Sequence, residues 1–460
     1  PPGETGGDVH LAEANILRSQ LVPVDRWKAP VREWFEQWQG WLGDSGYVDF
    51  TGLLELAVRD VDCAPGAPSV LFGDESQDWS PLEFALVRKW GALCDVGVYL
   101  AGDAAQAIYG FKGARPALFY DPPIPDEDYR FLRQSYRLPR AVLDVAEAWL
   151  KRSSDSAHYA RRHFDPRRDK ESGELVDGEV RELQSHGLAR VAGNFKNPEA
   201  LVGHIAEHAD RTGESWVILA SCAYMLQQVI ARLRTEGVAF HNPLRPAHGG
   251  WNPMRGGVER LRDFLVGPRP DLVREQCAES DQRLWTWQEL ERWTELLPTK
   301  GVLLHGGRTA IAARVRDDEQ RKEQHVVTPA ELRSLFVPEL LTKLTAAFQT
   351  ERPWEFLTVR LAEKKRAGMD YALNLVHHRG GRALREEPRV AVGTIHSYKG
   401  GEADNVLLFP DLSPSGWSEW TGTPEARDAV RRVFYVGMTR ARKSLLLAGP
   451  ATARAIEWGR

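Results

Sequence analysis

Cysteine is scarce and scattered. Cys63, Cys94, Cys222 and Cys277 are the only four in 460 residues, so a disulfide framework is not expected, and no close Cys or His pair offers metal-ligand spacing. This usage fits a reducing, cytoplasmic interior. Long apolar runs are missing too: none approaches the roughly 20 residues that a membrane span needs, so no membrane partner is expected. The opening Pro1-Pro2-Gly3-Glu4 has no initiator Met, basic region or apolar stretch. It reads neither as a signal peptide nor as a natural N-terminus. No charge sign dominates, with 60 Lys and Arg against 64 Asp and Glu and a net charge of −4. A global basic field is therefore absent, which leaves room only for a locally basic groove if the partner is a polyanion. What remains is ordinary for a globular protein, 42% hydrophobic and 27% charged residues. The length allows two to four domains.

The rest of the chain is organised around Val70-Leu71-Phe72-Gly73-Asp74-Glu75-Ser76-Gln77-Asp78. The apolar run predicts a buried strand that stops in three carboxylates. In an open α/β sheet, ligands sit outside the carboxyl ends of the strands. Two adjacent acids there suit phosphate chemistry: one holds Mg²⁺, the next orients or deprotonates a water. The plainer reading is an acidic turn capping the helix that starts near Pro81. A second apolar run, Val96 to Leu100, repeats the pattern and ends in Gly102-Asp103-Ala104-Ala105-Gln106, followed by Tyr109-Gly110-Phe111-Lys112. An amide such as Gln106 donates and accepts at once. Aromatics interleaved with a cation suit bases stacked beside a neutralised backbone, or simply a glycine-rich turn with core aromatics.

Upstream, residues 8–60 read as helical, with Trp27, Trp34, Trp38 and Trp41 at roughly helical spacing, a packing face or a stacking platform. Downstream, Ser135-Tyr136-Arg137 enters a helix at Arg140, and 151–170 is rich in Arg and Lys. Residues 179–240 alternate helix and strand. Residues 242–385 read as an inserted, mostly helical subdomain. Within it Gly306-Gly307-Arg308-Thr309 lacks the lysine and the preceding strand of a phosphate loop. Strand pattern returns at Val390, ending in Thr394-Ile395-His396-Ser397-Tyr398-Lys399-Gly400-Gly401-Glu402. A last helix runs into Tyr435-Val436-Gly437-Met438-Thr439-Arg440-Ala441.

Five such units in this order resemble motifs II to VI of the UvrD/Rep-like superfamily 1 DNA helicases. The resemblance implies an α/β fold: two RecA-like parallel-sheet lobes, the first incomplete, with inserted mainly helical subdomains. The expected boundaries are 1–66 for a helical insertion of the first lobe and 67–127 for the partial first lobe. The second lobe would occupy 128–241 and 386–460, interrupted by the helical subdomain 242–385. The resemblance further implies ATP and Mg²⁺ as cofactors, with Asp74 on the metal and Glu75 on the hydrolytic water. Gln106, Arg137 and Arg440 would read the γ-phosphate, with Arg137 and Arg440 reaching it from the second lobe. Tyr136 would stack on adenine, Glu402 would contact the sugar, and Gln77 and Gly400 would complete the nucleotide site. Tyr109, Phe111, Lys112, Thr394 and His396 would grip single-stranded DNA or single-strand/duplex junctions, and partner proteins would be those of repair or replication.

The sequence departs from the family pattern in places: Lys112 stands where arginine is usual, Phe111 where tryptophan is frequent, and Gly401 where an aliphatic residue is usual. The largest departure is that Gly-x-x-x-x-Gly-Lys-Thr/Ser occurs nowhere in the 460 residues. The expectation is a helicase chain, moving 3′ to 5′, that lacks the first part of its first lobe. The alternative is a non-catalytic DNA-binding subunit derived from such a helicase.

Overall fold

The computed structural model describes residues 6–125, 127–154, 159, 163–183, 193–268, 270–277 and 283–458. The chain forms two compact units, residues 1–179 with 412–440, and residues 180–411 with 441–460. The boundaries differ from those expected: 128–179 and 412–440 fall in the first unit.

In the first unit, α1 (Gly6–Ser19), α2 (Ala29–Ser45) and α3 (Phe50–Asp60) gather around one buried cation. Arg18 is 4% exposed. It donates to Asn15, Asp49 and Glu55 and lies over the Phe35 ring. Burial works against its charge, yet the Glu55 and Asp49 carboxylates hold its pKa above the ordinary value, as a buried charge needs partners. Asp49 also caps α3 by accepting from Gly52 N at 2.6 Å. The four tryptophans do not share one face. Trp27 precedes α2 and packs on Phe35, with centroids 5.0 Å apart. Trp34, Trp38 and Trp41 stack along the helix, and Trp41 is 51% exposed.

β1 (Val70–Gly73) pairs in parallel with β2 (Gly97–Leu100), in register from Val70↔Gly97 to Gly73↔Leu100. Between them runs α4 (Pro81–Gly91), started by a Ser80–Glu83 capping box with proline in its first turn. The expectation that both strands are buried is corrected here. Phe72 is 78% exposed, Tyr99 55% and Val96 62%. A sheet of two strands gives each only one neighbour, and nothing among the described residues covers its outer apolar side. Further along, α5 (Arg140–Leu150) lies against α6 (Pro424–Met438): Trp149 donates to Arg431 O at 3.0 Å and stacks on Trp420.

The second unit is built on a six-stranded sheet. Its strands are β3 (Glu179–Glu182), β4 (Trp216–Ala220), β5 (Phe240–His241), β6 (Val390–Thr394), β7 (Ala403–Leu408) and β8 (Ala441–Leu447), in the order β3-β8-β7-β4-β6-β5. The β4–β6, β4–β7, β5–β6 and β7–β8 pairs are parallel. Every residue of β4 is buried, as expected for a parallel sheet covered on both faces. Helices Glu199–Thr212 and Gln227–Thr235 contribute to that core. The segment between β5 and β6 is mainly helical and has its own core around Phe264, Trp285, Trp293 and Phe336. Gly306-Gly307 opens one of its helices, Gly307–Arg321. The fold is thus α/β with parallel sheets of the RecA-like kind. No helix among the described residues is long and apolar enough to cross a membrane.

Candidate functional site

The tips of β1 and β2 are tied by hydrogen bonds as well as by packing of Trp79 and Leu100 on Gly73. Ala101 N donates to Gly73 O at 2.7 Å, and Ser76 N to Ala101 O at 3.0 Å. Asp74 and Glu75 are exposed. Glu75 adopts φ 52°, ψ 33°, a left-handed conformation costing a non-glycine residue roughly 1–2 kcal/mol. Such strain persists only where the surroundings over-determine it. Here Asp74 Oδ1 accepts from Glu75 N at 2.8 Å, and Gln77 Nε2 donates to Glu75 Oε2 at 2.6 Å.

Gln77 is 1% exposed. Its other amide atom, Oε1, accepts from Asp103 N at 3.0 Å, so one buried amide bridges the two tips. Gly102 makes this possible, because a Cβ there would collide with Gln77 Oε1. Asp103 Oδ2 then accepts from Gln106 Nε2 at 3.0 Å, which leaves Gln106 Oε1 facing Arg440 Nη2 at 3.3 Å. A hydrogen-bonded path therefore runs Glu75–Gln77–Asp103–Gln106–Arg440 within the first unit.

Arg440 follows the end of α6 and is 2% exposed. Its Nε donates to Val436 O at 2.8 Å and its Nη2 to Thr439 Oγ1 at 3.0 Å. Arg137 Nη1 reaches Thr439 O at 3.4 Å. Two arginines that stand far apart in sequence thus converge on Thr439. Tyr136, beside Arg137, is 84% exposed. The expectation that Arg137 and Arg440 act from a separate lobe meets a different arrangement here: both lie in the unit that holds Gln106, because α5 and α6 pack on each other through Trp149.

Beyond Gln106 the chain turns outward. Tyr109 meets Phe111 edge-on at 6.0 Å, and Lys112 Nζ lies 4.9 Å from the Tyr109 ring centroid. Phe111 is 59% exposed. Gly113 takes φ 93°, which ends the turn.

In the second unit, Thr394 ends β6 and its Oγ1 accepts from Ser397 N at 3.1 Å, opening the short helix His396–Tyr398. Asn242 Nδ2 secures this end by donating to Val392 O at 2.9 Å. Gly400 has φ 89°. Gly401 is explained by its neighbour: a Cβ there would fall 2.7 Å from the Tyr398 ring. Glu402 precedes β7 and faces Arg442 at 3.2 Å, and the other arm of Arg442 reaches Asp404 at 2.9 Å. Burial raises the Asp404 pKa, but hydrogen bonds from Ser215 and Arg442 outweigh it and hold the carboxyl below its ordinary value. Thr394 and Glu402 therefore sit at opposite ends of the parallel strands, the carboxyl end of β6 and the amino end of β7.

Residues 369–449 match the model of the UvrD-like helicase C-terminal domain. In this region the chain is similar to UvrD-like helicases. It is 29% identical over 161 residues to the ATP-dependent DNA helicase PcrA of Leuconostoc citreum, covering 31% of this chain and 21% of that protein. Against PcrA of Staphylococcus epidermidis, strain ATCC 12228, it is 26% identical over 156 residues, 31% of this chain and 20% of that protein. Against PcrA of Staphylococcus aureus, strain COL, it is 33% identical over 88 residues, 18% of this chain and 11% of that protein. The match spans about a fifth of the length of the first two relatives.

Asp74, Glu75, Gln77, Gln106, Tyr109, Phe111, Lys112, Tyr136, Arg137 and Arg440 fall in the first unit, and Thr394, His396, Gly400 and Glu402 in the second. Sequence reading gave no role to Asp103, although it stands between Gly102 and Gln106 at a strand tip. Asn242, Thr439 and Arg442 were also missed, and nothing in their local sequence signals them. Among the described residues, no group of three or more His, Cys, Asp or Glu is placed to hold a metal. A single exposed carboxylate such as Asp74 still fits Mg²⁺, which commonly takes one or two carboxylates and completes its shell with phosphate oxygens and water.

Proposed function

We propose that this chain is part of an ATP-dependent DNA helicase or translocase that moves 3′ to 5′ on single-stranded DNA and at its junctions with duplex. Mg²⁺ held by Asp74 would neutralise charge on the phosphates. Glu75, fixed by Gln77, orients the attacking water and takes its proton. Gln106 and the Arg440–Arg137 pair meet the γ-phosphate, where arginine charge is worth most in the transition state. Tyr136 stacks on the base, and Gly400 and Glu402 belong to the nucleotide side of the second unit. Tyr109, Phe111 and Lys112, with Thr394 and His396, hold single-stranded DNA through stacking and backbone contact.

The observation that carries this reading is the hydrogen-bonded path from Glu75 to Arg440. It links a water-orienting acid, a phosphate-sensing amide and a cation in one unit, and the DNA-facing aromatics follow directly in sequence. The test is ATP hydrolysis by the full-length protein, with and without single-stranded DNA. Glu75→Gln should lower DNA-stimulated turnover by at least about 100-fold while leaving DNA binding intact. Unchanged turnover would overturn the reading. DNA binding indifferent to ATP, with no turnover in the unaltered protein, would favour the non-catalytic subunit.

A further inference from the structure

The path just described explains how the nucleotide side is wired, but not how the DNA-facing turn is held to it. α1 packs on the far end of the turn through Ser19 and Gln20, next to Gly113, and α6 holds its start. Arg432 Nε donates to Ala107 O at 3.0 Å. Ala107 stands directly after Gln106 and is 4% exposed, as is Ile108. Two residues later come Tyr109, Phe111 and Lys112.

Arg432 and Arg440 belong to the same rigid stretch, α6 and its C-terminal turn, and are eight residues apart, roughly 12 Å along a helix. The turn after β2 is therefore gripped twice from one element: Arg440 takes the Gln106 side chain, and Arg432 takes the next backbone carbonyl. A single contact transmits position at one point, whereas two contacts from one helix carry its tilt as well. The neighbouring Arg431 has a different task. It pairs with Asp428 at 2.9 Å and lies over the Trp420 ring, both within the packing of α6 itself.

We propose that Arg432 is a positioning residue that couples the nucleotide-facing arginine Arg440 to the DNA-facing turn Tyr109–Lys112. This inference rests on the functional reading above. Its physical content is a two-point tether: occupancy at Arg440 biases α6, and the Arg432–Ala107 bond passes that bias to the aromatics, which is the contiguous connection that coupling between two sites needs.

The experiment compares Arg432→Met and Arg432→Lys with the unaltered full-length protein. Lysine keeps the charge but places a methylene where Nε donates, so both variants lose the Nε donor. Two ratios are measured: DNA-stimulated over basal ATP hydrolysis, and the dissociation constant for oligo-dT without and with a non-hydrolysable ATP analogue. Each ratio should move toward unity by about tenfold in both variants, with basal hydrolysis and melting temperature unchanged. Ratios at the unaltered value would overturn the proposal. So would wild-type behaviour of Arg432→Lys, which would assign the effect to charge rather than to the bond. An equal loss of basal and stimulated rates would also overturn it, since that marks a merely structural role. Glu75→Gln runs alongside. If it leaves turnover unchanged, the functional reading falls and the coupling with it; if it abolishes turnover while the Arg432 ratios stay put, the coupling alone falls.

Discussion

The two sheets use the same local grammar and end in opposite physical states. β4 in the second unit is an apolar run buried along its whole length between parallel neighbours β6 and β7. β1 in the first unit is also an apolar run, yet Phe72 is 78% exposed and stacks on Tyr99, 5.4 Å away. A strand pays its way in a parallel sheet by burial on both faces. On the outer side of β1 that burial is missing, and the tips carry buried polar contacts, with Gln77 bridging Glu75 and Asp103. At its strand tips the first region relies on polar contacts, and the second relies on apolar burial.

The largest break in that contrast should come from the second sheet. Leu219 lies in β4 and is 0% exposed, so Leu219→Ala should cost about 3 kcal/mol, read by urea unfolding. If it costs under about 1 kcal/mol, the sheet is not a stability core. Next comes Gln77→Leu, which keeps the volume but removes the bond to Glu75 and leaves the Asp103 N–H without its amide acceptor. A loss of about 2 kcal/mol is expected, with faster hydrogen exchange confined to the β1 and β2 tips. Exchange that also rises in β4 would contradict a local polar scaffold.

A pH series sharpens the comparison further. Asp404 is held below its ordinary pKa of 3.8 by Ser215 and Arg442, against the opposing effect of burial. A depressed carboxyl stabilises the fold fully above its unfolded-state value, and that stability is lost as pH falls through the folded value. Asp404→Asn should therefore cost roughly 1–2 kcal/mol at pH 7, with the gap to the unaltered protein closing as the pH drops below about 4. A gap that stays constant into acid would show that the charge is not what matters. The smallest effect belongs to Phe72→Ser, which removes an exposed cross-strand pair and should cost under about 1 kcal/mol. A loss as large as that of Leu219→Ala would mean that the outer side of β1 is covered in solution.

Much of the site was legible because its residues cluster at strand tips. An apolar run that stops in Asp74-Glu75, and another that stops in Gly102-Asp103 with Gln106 close behind, mark where parallel strands end. The helix start near Pro81 was equally readable, since Ser80-Pro81 with Glu83 carries its cap in adjacent residues. Burial was not legible. Val70-Leu71-Phe72 and Trp216 to Ala220 look alike as strings, and only the number of neighbouring strands separates them. The tryptophan spacing misled for a related reason: Trp27 fits the period but lies before the helix that makes the period meaningful.

The amino-acid sequence by itself determined the local elements and the order of the polar tips, because turns, caps and apolar periodicity depend on residues only a few positions apart. Tertiary structure alone decided which tips meet. Gln106 and Arg440 are separated by 334 residues and come within 3.3 Å. Arg442 closes on Glu402 across 40 residues, and Arg432 on Ala107 across 325. No local pattern encodes such pairings. They follow from how helices and strands bury their apolar faces, and that packing is settled only when the whole unit is assembled.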